Sequence, residues 1–237
     1  MRQAVLEVRG LRFQYEDGTV ALDGVDFDLL ANETVALLGP NGSGKTTFVL
    51  HLNGLLRGEG SVTVGGVELG NETLPLIRQK VGMVFQDSDD QLFMPTVLDD
   101  VAFGPLNMGL EAAEAVERSR RALETVGMAH ASGRAPYHLS AGEKRRVAIA
   151  GVLAMEPEIL VLDEPTTFLD PPGQRALVAV LDRLPQAKVL VTHDTDFALA
   201  LAPRSVFFER GKITATGDTG QLLRRFAWRH SRLADGT

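Results

Sequence analysis

The chain has 237 residues, with 24 Lys and Arg against 31 Asp and Glu, a net charge of −7 and no Cys. That length suits one sizeable α/β core, alone or with a smaller subdomain, and the acidic balance lacks any basic stripe long enough to follow a phosphate backbone, which argues against nucleic acid as the partner. The absence of Cys excludes disulfides, thiolate catalysis and Cys-based zinc sites, and fits a reducing compartment.

Met1-Arg2-Gln3-Ala4 leads into Val5 to Val8, where charged and apolar residues alternate, so the start reads as a strand rather than a signal peptide. Val5 to Val8, Leu11 to Tyr15, and Val25 to Leu29 after Asp23-Gly24 predict a small antiparallel layer. Thr34 to Leu38 is apolar on both faces, as a buried parallel strand requires, and runs into Gly39. Lys45 to Leu55 has helical spacing; Ser61 to Val64, Gly65-Gly66 and Val67 to Leu69 predict a hairpin; Val81 to Phe85 is another buried strand ending at Gln86. From Asp87 to about Ala154 the period is helical, strongest over Glu111 to Val126, with Pro95, Pro105 and Pro136 marking breaks. Strand and helix then alternate: 159–162, 173–184, 189–192, 195–202, and a last pair 205–209 and 212–216 turning at Gly211. This pattern predicts a mostly parallel sheet with helices on both faces. The domain reading is therefore a core over 1–86 and 155–220, a helical subdomain over 87–154, and a short basic tail over 221–237 carrying Arg224, Arg225, Arg229 and Arg232 around Phe226 and Trp228. The tail reads either as a solvated terminal helix packing one aromatic or as a partner-binding segment. The longest apolar stretches, such as 148–155, fall far short of the roughly 20 residues of a membrane span, so the chain itself is not expected to cross one.

Gly39, Pro40, Asn41, Gly42, Ser43, Gly44, Lys45 and Thr46 match the phosphate-loop pattern between a buried strand and a helix. Its glycines let backbone N–H groups face a phosphate, and the helix N-terminus adds its positive end. Lys45 would neutralise β- and γ-phosphates and Thr46 would take a coordination place on Mg²⁺. Ile159 to Leu162 ends in Asp163 and Glu164; successive strand residues point apart, so Asp163 suits Mg²⁺, directly or through water, and Glu164 suits polarising a water. The same pair could instead cap a following helix. His193 ends a neighbouring strand, where it either reaches the γ-phosphate or is an exposed turn residue. Ser140, Ala141, Gly142 and Glu143, ahead of Val147, Ile149 and Ala150, form a capping box, and the helix N-terminus it opens is also an anion site.

Together these residues resemble the ATP-binding cassette family, over nearly the whole chain. The phosphate loop, Gln86, a helical insertion carrying Leu139 to Arg146, Asp163-Glu164, Leu169-Asp170 and His193 occur in that family's order and spacing. The resemblance implies a P-loop NTPase fold and ATP hydrolysis with Mg²⁺ held by Thr46, Gln86 and Asp163. It implies nucleotide contacts from Tyr15 and from the loop through Thr47, and from Ser140 to Glu143 and Asp170 across a head-to-tail dimer of identical or related chains. Tyr15 would stack on adenine, although Leu11, Phe13 and Tyr15 also alternate as a plain strand does. The segments 82–93, 100–105 and 143–151 look like those of energy-coupling-factor and cobalt or nickel importers. That implies integral membrane subunits as partners, with residues 89–93 on the receiving surface, and a place on the cytoplasmic face of the membrane. A cassette ATPase uncoupled from transport, or a non-hydrolysing interaction module, are the other readings. Three departures stand out: Ala141 where the family has Gly, Thr167-Phe168 where small residues precede Leu169, and no long segment after the core.

Overall fold

The structure is a computed structural model that describes residues 4–228; Met1 to Gln3, ahead of the expected first strand, and Arg229 and Arg232 of the basic tail, lie outside the described residues. β1 (Ala4–Gln14) and β2 (Val20–Leu30) pair antiparallel. After β3 (Thr34–Leu38) and α1 (Lys45–Leu52), the hairpin β4 (Glu59–Val64) and β5 (Val67–Glu68) completes a four-stranded sheet in the order β2-β1-β4-β5. The two short runs expected before Tyr15 are one strand. Its pairing slips between Val8 and Leu11, where Gly10 takes φ 59° and donates its N–H to Asp26 Oδ1 at 2.7 Å. A glycine read as a break is here a bulge.

The chain continues through α2 (Leu74–Lys80), β6 (Val81–Val84), α3 (Val97–Asn107), α4 (Ala112–Thr125), α5 (Ala141–Leu153), β7 (Ile159–Asp163), α6 (Pro171–Arg183), β8 (Ala187–Val191), α7 (Thr195–Leu201), β9 (Arg204–Glu209), β10 (Lys212–Asp218) and α8 (Thr219–Arg225). The second sheet has the order β10-β9-β3-β8-β7-β6, parallel from β9 to β6. β6, β7 and β8 are buried at every position, because both faces of the sheet are covered. β10 returns antiparallel to β9 through Arg210 (φ 49°) and Gly211 (φ 75°), a tight two-residue turn.

One core fills the space between the sheets, with Phe48 of α1 against Phe27 and Phe208 at ring separations of 5.4 and 5.3 Å. The other joins the opposite sheet face to the helices through Leu123, Ile149, Leu160 and Leu181. Pro105 does not break its helix. It sits in the last turn of α3, where the missing N–H costs one bond, and Gly109 at φ 85° follows the end. The fold is thus an α/β P-loop architecture: a mostly parallel sheet, an N-terminal antiparallel layer, and helices α3 to α5 inserted between β6 and β7.

Candidate nucleotide site

The loop between β3 and α1 threads a narrow gap. A Cβ on Gly39 (φ 138°) would lie 2.2 Å from Phe208 O, and one on Gly44 (φ 105°) 2.4 Å from Ala21 O, so only glycine lets the backbone pass. Gly42, at φ 74°, faces open space. The loop is also pinned by backbone bonds: Gly211 N donates to Ser43 O at 2.9 Å, while Gly211 O accepts from Asp23 N at 2.9 Å. Lys45, only 6% exposed, donates Nζ to Gly39 O (2.8 Å) and Pro40 O (2.9 Å). Burial pushes its pKa down, and the carboxylates of Glu164 and Asp163 oppose that shift. With α1 beginning at Lys45, the N–H groups of its first turn lack helical partners and face the same end of the sheet.

Parallel pairing of Asp163 with Val191 brings the two strand ends side by side. Asp163 is buried, which raises its pKa; the Thr46 hydroxyl bound to it acts the other way, as do Lys45 and Arg145, while Glu164 adds to the rise. Its Oδ1 is buried with no hydrogen-bond partner among the described residues, as is Ser43 Oγ. An orphaned carboxylate oxygen beside a threonine hydroxyl suits a hard cation, and Gln86 lines the same cleft. Glu164 leaves the strand at φ 45°, an uncommon conformation that its N–H to Val191 O (2.9 Å) holds in place. Its carboxylate Oε2 meets His193 Nδ1 at 2.8 Å and accepts from His193 N at 3.4 Å.

Lys45, Thr46, Glu164 and His193 border one cleft of about 790 Å³, which Tyr15 also lines. β1 ends at Gln14, so Tyr15 stands past the strand, and its hydroxyl bonds Thr47 Oγ1 at 2.9 Å. The structure therefore gathers Tyr15, residues 40–42, Gly44 to Thr47, Gln86, Glu164 and His193 at the cleft, while buried Asp163, which interacts with the Thr46 hydroxyl, does not line it.

Ser140 to Glu143 and Asp170 do not border this cleft. The capping box is present in full: Glu143 N donates to Ser140 Oγ at 3.3 Å and Ser140 N to Glu143 Oε2 at 2.8 Å. A Cβ on Gly142 would lie 3.7 Å from Leu169 Cδ2, so this helix end packs beside the 167–170 turn. Asp170 caps α6, its Oδ1 accepting from Gly173 N at 2.8 Å. Phe168, at φ 65° and 80% exposed, projects from that turn.

Three residues escaped the sequence reading. Arg145, 3% exposed, donates Nη1 to Phe85 O and Nη2 to Gln86 O, both at 2.5 Å, tying α5 to the chain beside the cleft. Burial lowers its pKa against the pull of Asp87 and Asp163. Gln91 accepts from Phe85 N at 2.9 Å and donates to Met83 O at 3.1 Å, bracing the end of β6. Trp228 borders the cleft itself.

Comparison with known proteins points to one family. The family described as ABC transporter matches residues 22–167. A putative ABC transporter ATP-binding protein of Streptomyces avermitilis is 58% identical, over 92% of this chain and 84% of that protein. An energy-coupling factor transporter ATP-binding protein, EcfA, of Methanothermobacter thermautotrophicus is 46% identical, over 98% of this chain and 78% of its own length. Among solved structures, cbiO1 from Clostridium perfringens, part of the ABC transporter complex cbiONQ, superposes with a TM-score of 0.84 at 35% identity, covering 94% of this chain and 92% of that one. A dimeric ATP-binding cassette in a post-hydrolysis state, bound to ADP and Pi, gives 0.80 at 27% identity, covering 90% of this chain and 98% of that one.

Proposed function

The chain belongs to the ABC transporter family and is its ATPase subunit, and on that premise we propose that it powers an importer of the energy-coupling-factor or cobalt/nickel type, by closing and reopening a pair of cassettes around ATP. The observation that carries this reading is a division within the chain. The phosphate loop, Asp163 and the Glu164–His193 pair meet at one sheet edge, while the capped N-terminus of α5 stands outside their cleft. If that N-terminus serves a γ-phosphate, the phosphate must belong to a second cassette, identical or related, placed head to tail.

In this reading Lys45 and the loop N–H groups bind the β- and γ-phosphates. Mg²⁺ would be held by Thr46, Asp163 and Gln86, and supplies neutralisation of phosphate charge when bound. Glu164 orients and polarises the attacking water, and His193, at 2.8 Å, fixes the carboxylate. Ala141 keeps the helix N–H that a phosphate needs while adding a methyl.

Movement reaches the membrane through the helical insertion, taken as 87–154. A groove of about 740 Å³ runs between α2 and the insertion, lined by Leu74, Met83, Phe93, Phe103 and Val152. Phe93 and Phe103 are 62% and 42% exposed, with their rings 5.0 Å apart, which supports docking of an apolar segment of an integral membrane subunit. Among the described residues no helix is long and apolar enough to cross a membrane. In this reading the span is supplied by that partner, and this chain works at the cytoplasmic face. The likeness to EcfA and cbiO1 supports import; the cargo is set by subunits outside this chain.

The test is Glu164→Gln. Turnover should fall by about two orders of magnitude or more while ATP promotes a stable dimer. Near-normal phosphate release would refute the role of Glu164. Detergent co-purification should recover an integral membrane protein, and recovery of ribosomes or DNA alone would refute coupling to transport.

A further inference from the structure

The last described turn of the chain is built to deliver one side chain to the cleft. α8 ends in a Schellman motif: Trp228 N donates to Leu223 O at 2.9 Å and Ala227 N to Arg224 O at 3.2 Å. The residue between helix and Trp228 must be left-handed, and Ala227 occupies that conformation at φ 49° although glycine would do so without strain. Strain of this kind persists where the surroundings over-determine it. Here Phe226 stacks on Phe207 at 3.8 Å, and Trp228 packs edge-on to the same ring at 5.5 Å. Phe207 pairs with Leu38, the last residue before the phosphate loop. Trp228 thereby borders the cleft together with Pro40, Asn41 and His193, opposite in character to the polar groups around it.

We propose that Trp228 is a nucleotide-contacting residue that closes the side of the ATP cleft between the start of the phosphate loop and His193. The assignment rests on the ATP-binding reading of the cleft. An indole offers a flat apolar wall that excludes water and a single N–H that donates and never accepts, a combination suited to an anion's flank. Tyr15 lines the same cleft, so the nucleotide would meet two aromatic side chains, one at the end of β1 and one after α8. The aromatic pair of the tail divides its work: Phe226 anchors the tail, and Trp228 serves the site.

Trp228 is the only tryptophan, so its intrinsic emission reports this position alone. Titrating the full chain with MgATP should give a saturable emission change whose midpoint matches the calorimetric Kd and stays put when protein concentration is raised about tenfold. Trp228→Ala should raise KM for ATP about 3- to 10-fold with kcat little changed, and Trp228→Phe should restore most of the loss. An unchanged emission at calorimetrically saturating ATP, or an unchanged KM in Trp228→Ala, would overturn the proposal. A change that follows protein rather than nucleotide concentration would place the indole at a subunit interface and overturn it as well. Absence of any calorimetric ATP binding by the native chain would instead overturn the reading of the cleft.

Discussion

Replacing Arg145 with Met removes a buried guanidinium that spans two units of the fold. Its two donors satisfy Phe85 O and Gln86 O at 2.5 Å each, across a sequence gap of about 60 residues. Hydrogen bonds from a charged donor contribute roughly 1.5–3 kcal/mol each, so the gross loss is about 3–6 kcal/mol. Against this, burying the cation is itself costly: its pKa is pushed down by burial, and Nε is buried without a partner. Replacing a buried ion pair by apolar side chains can be neutral because both partners go. Here the acceptors are main-chain carbonyls, and they stay. We therefore expect Arg145→Met to lose about 2–4 kcal/mol in urea unfolding, with an unchanged m-value. ATP turnover should fall further than ATP affinity, since Gln86 loses its anchor while the phosphate loop keeps its own. A loss under about 1 kcal/mol with normal turnover would show that the two carbonyls are satisfied without Arg145 and would refute the reasoning.

Ser140→Ala removes the cap of α5 and should cost about 1 kcal/mol in unfolding; since Ser140 lies outside the cleft, calorimetric ATP affinity of the dilute chain should be unchanged while turnover drops, and a loss of affinity would contradict the head-to-tail arrangement. His51 is 1% exposed, with Nδ1 2.7 Å from Thr47 O and Nε2 buried without a partner, and burial lowers its pKa below 6.5. The unfolded chain then takes up the proton first, so the stability it contributes is complete above pH 6.5 and declines as pH falls toward the lower folded value. His51→Gln should flatten that part of the stability–pH curve, measured by urea unfolding at several pH values; an unchanged slope would exclude His51 as its source.

The parallel strands could be read from sequence because burial on both faces leaves continuous apolar runs, as in 159–162. β1 and β2 were harder, since Gly10 and Gly24 read as breaks but sit inside strands at φ 59° and 77°. The phosphate loop and the Asp163-Glu164 pair were legible because their chemistry is local and ordered along the chain. Arg145 was not: within Lys144-Arg145-Arg146 it resembles a solvated face, and its acceptors are carbonyls, which carry no side-chain signature. Trp228 was missed for a related reason, since Ala227 gave no hint of the left-handed turn that redirects the chain. Asp170 could be placed beside the site by resemblance, yet the geometry within one chain gives it only the cap of α6.

Gly211 has a bearing on how this protein can be cut. Its N–H holds Ser43 in the phosphate loop and its carbonyl holds Asp23 in β2, so three stretches far apart in sequence share one main-chain junction. The span matched by the family ends at residue 167 and omits the third of them. A fragment trimmed to that span would keep every residue of the phosphate loop yet lose the backbone strut beneath it. No side-chain substitution can mimic this, because the contacts are made by peptide groups. We therefore expect the smallest piece able to grip a phosphate to reach at least to the β9–β10 turn.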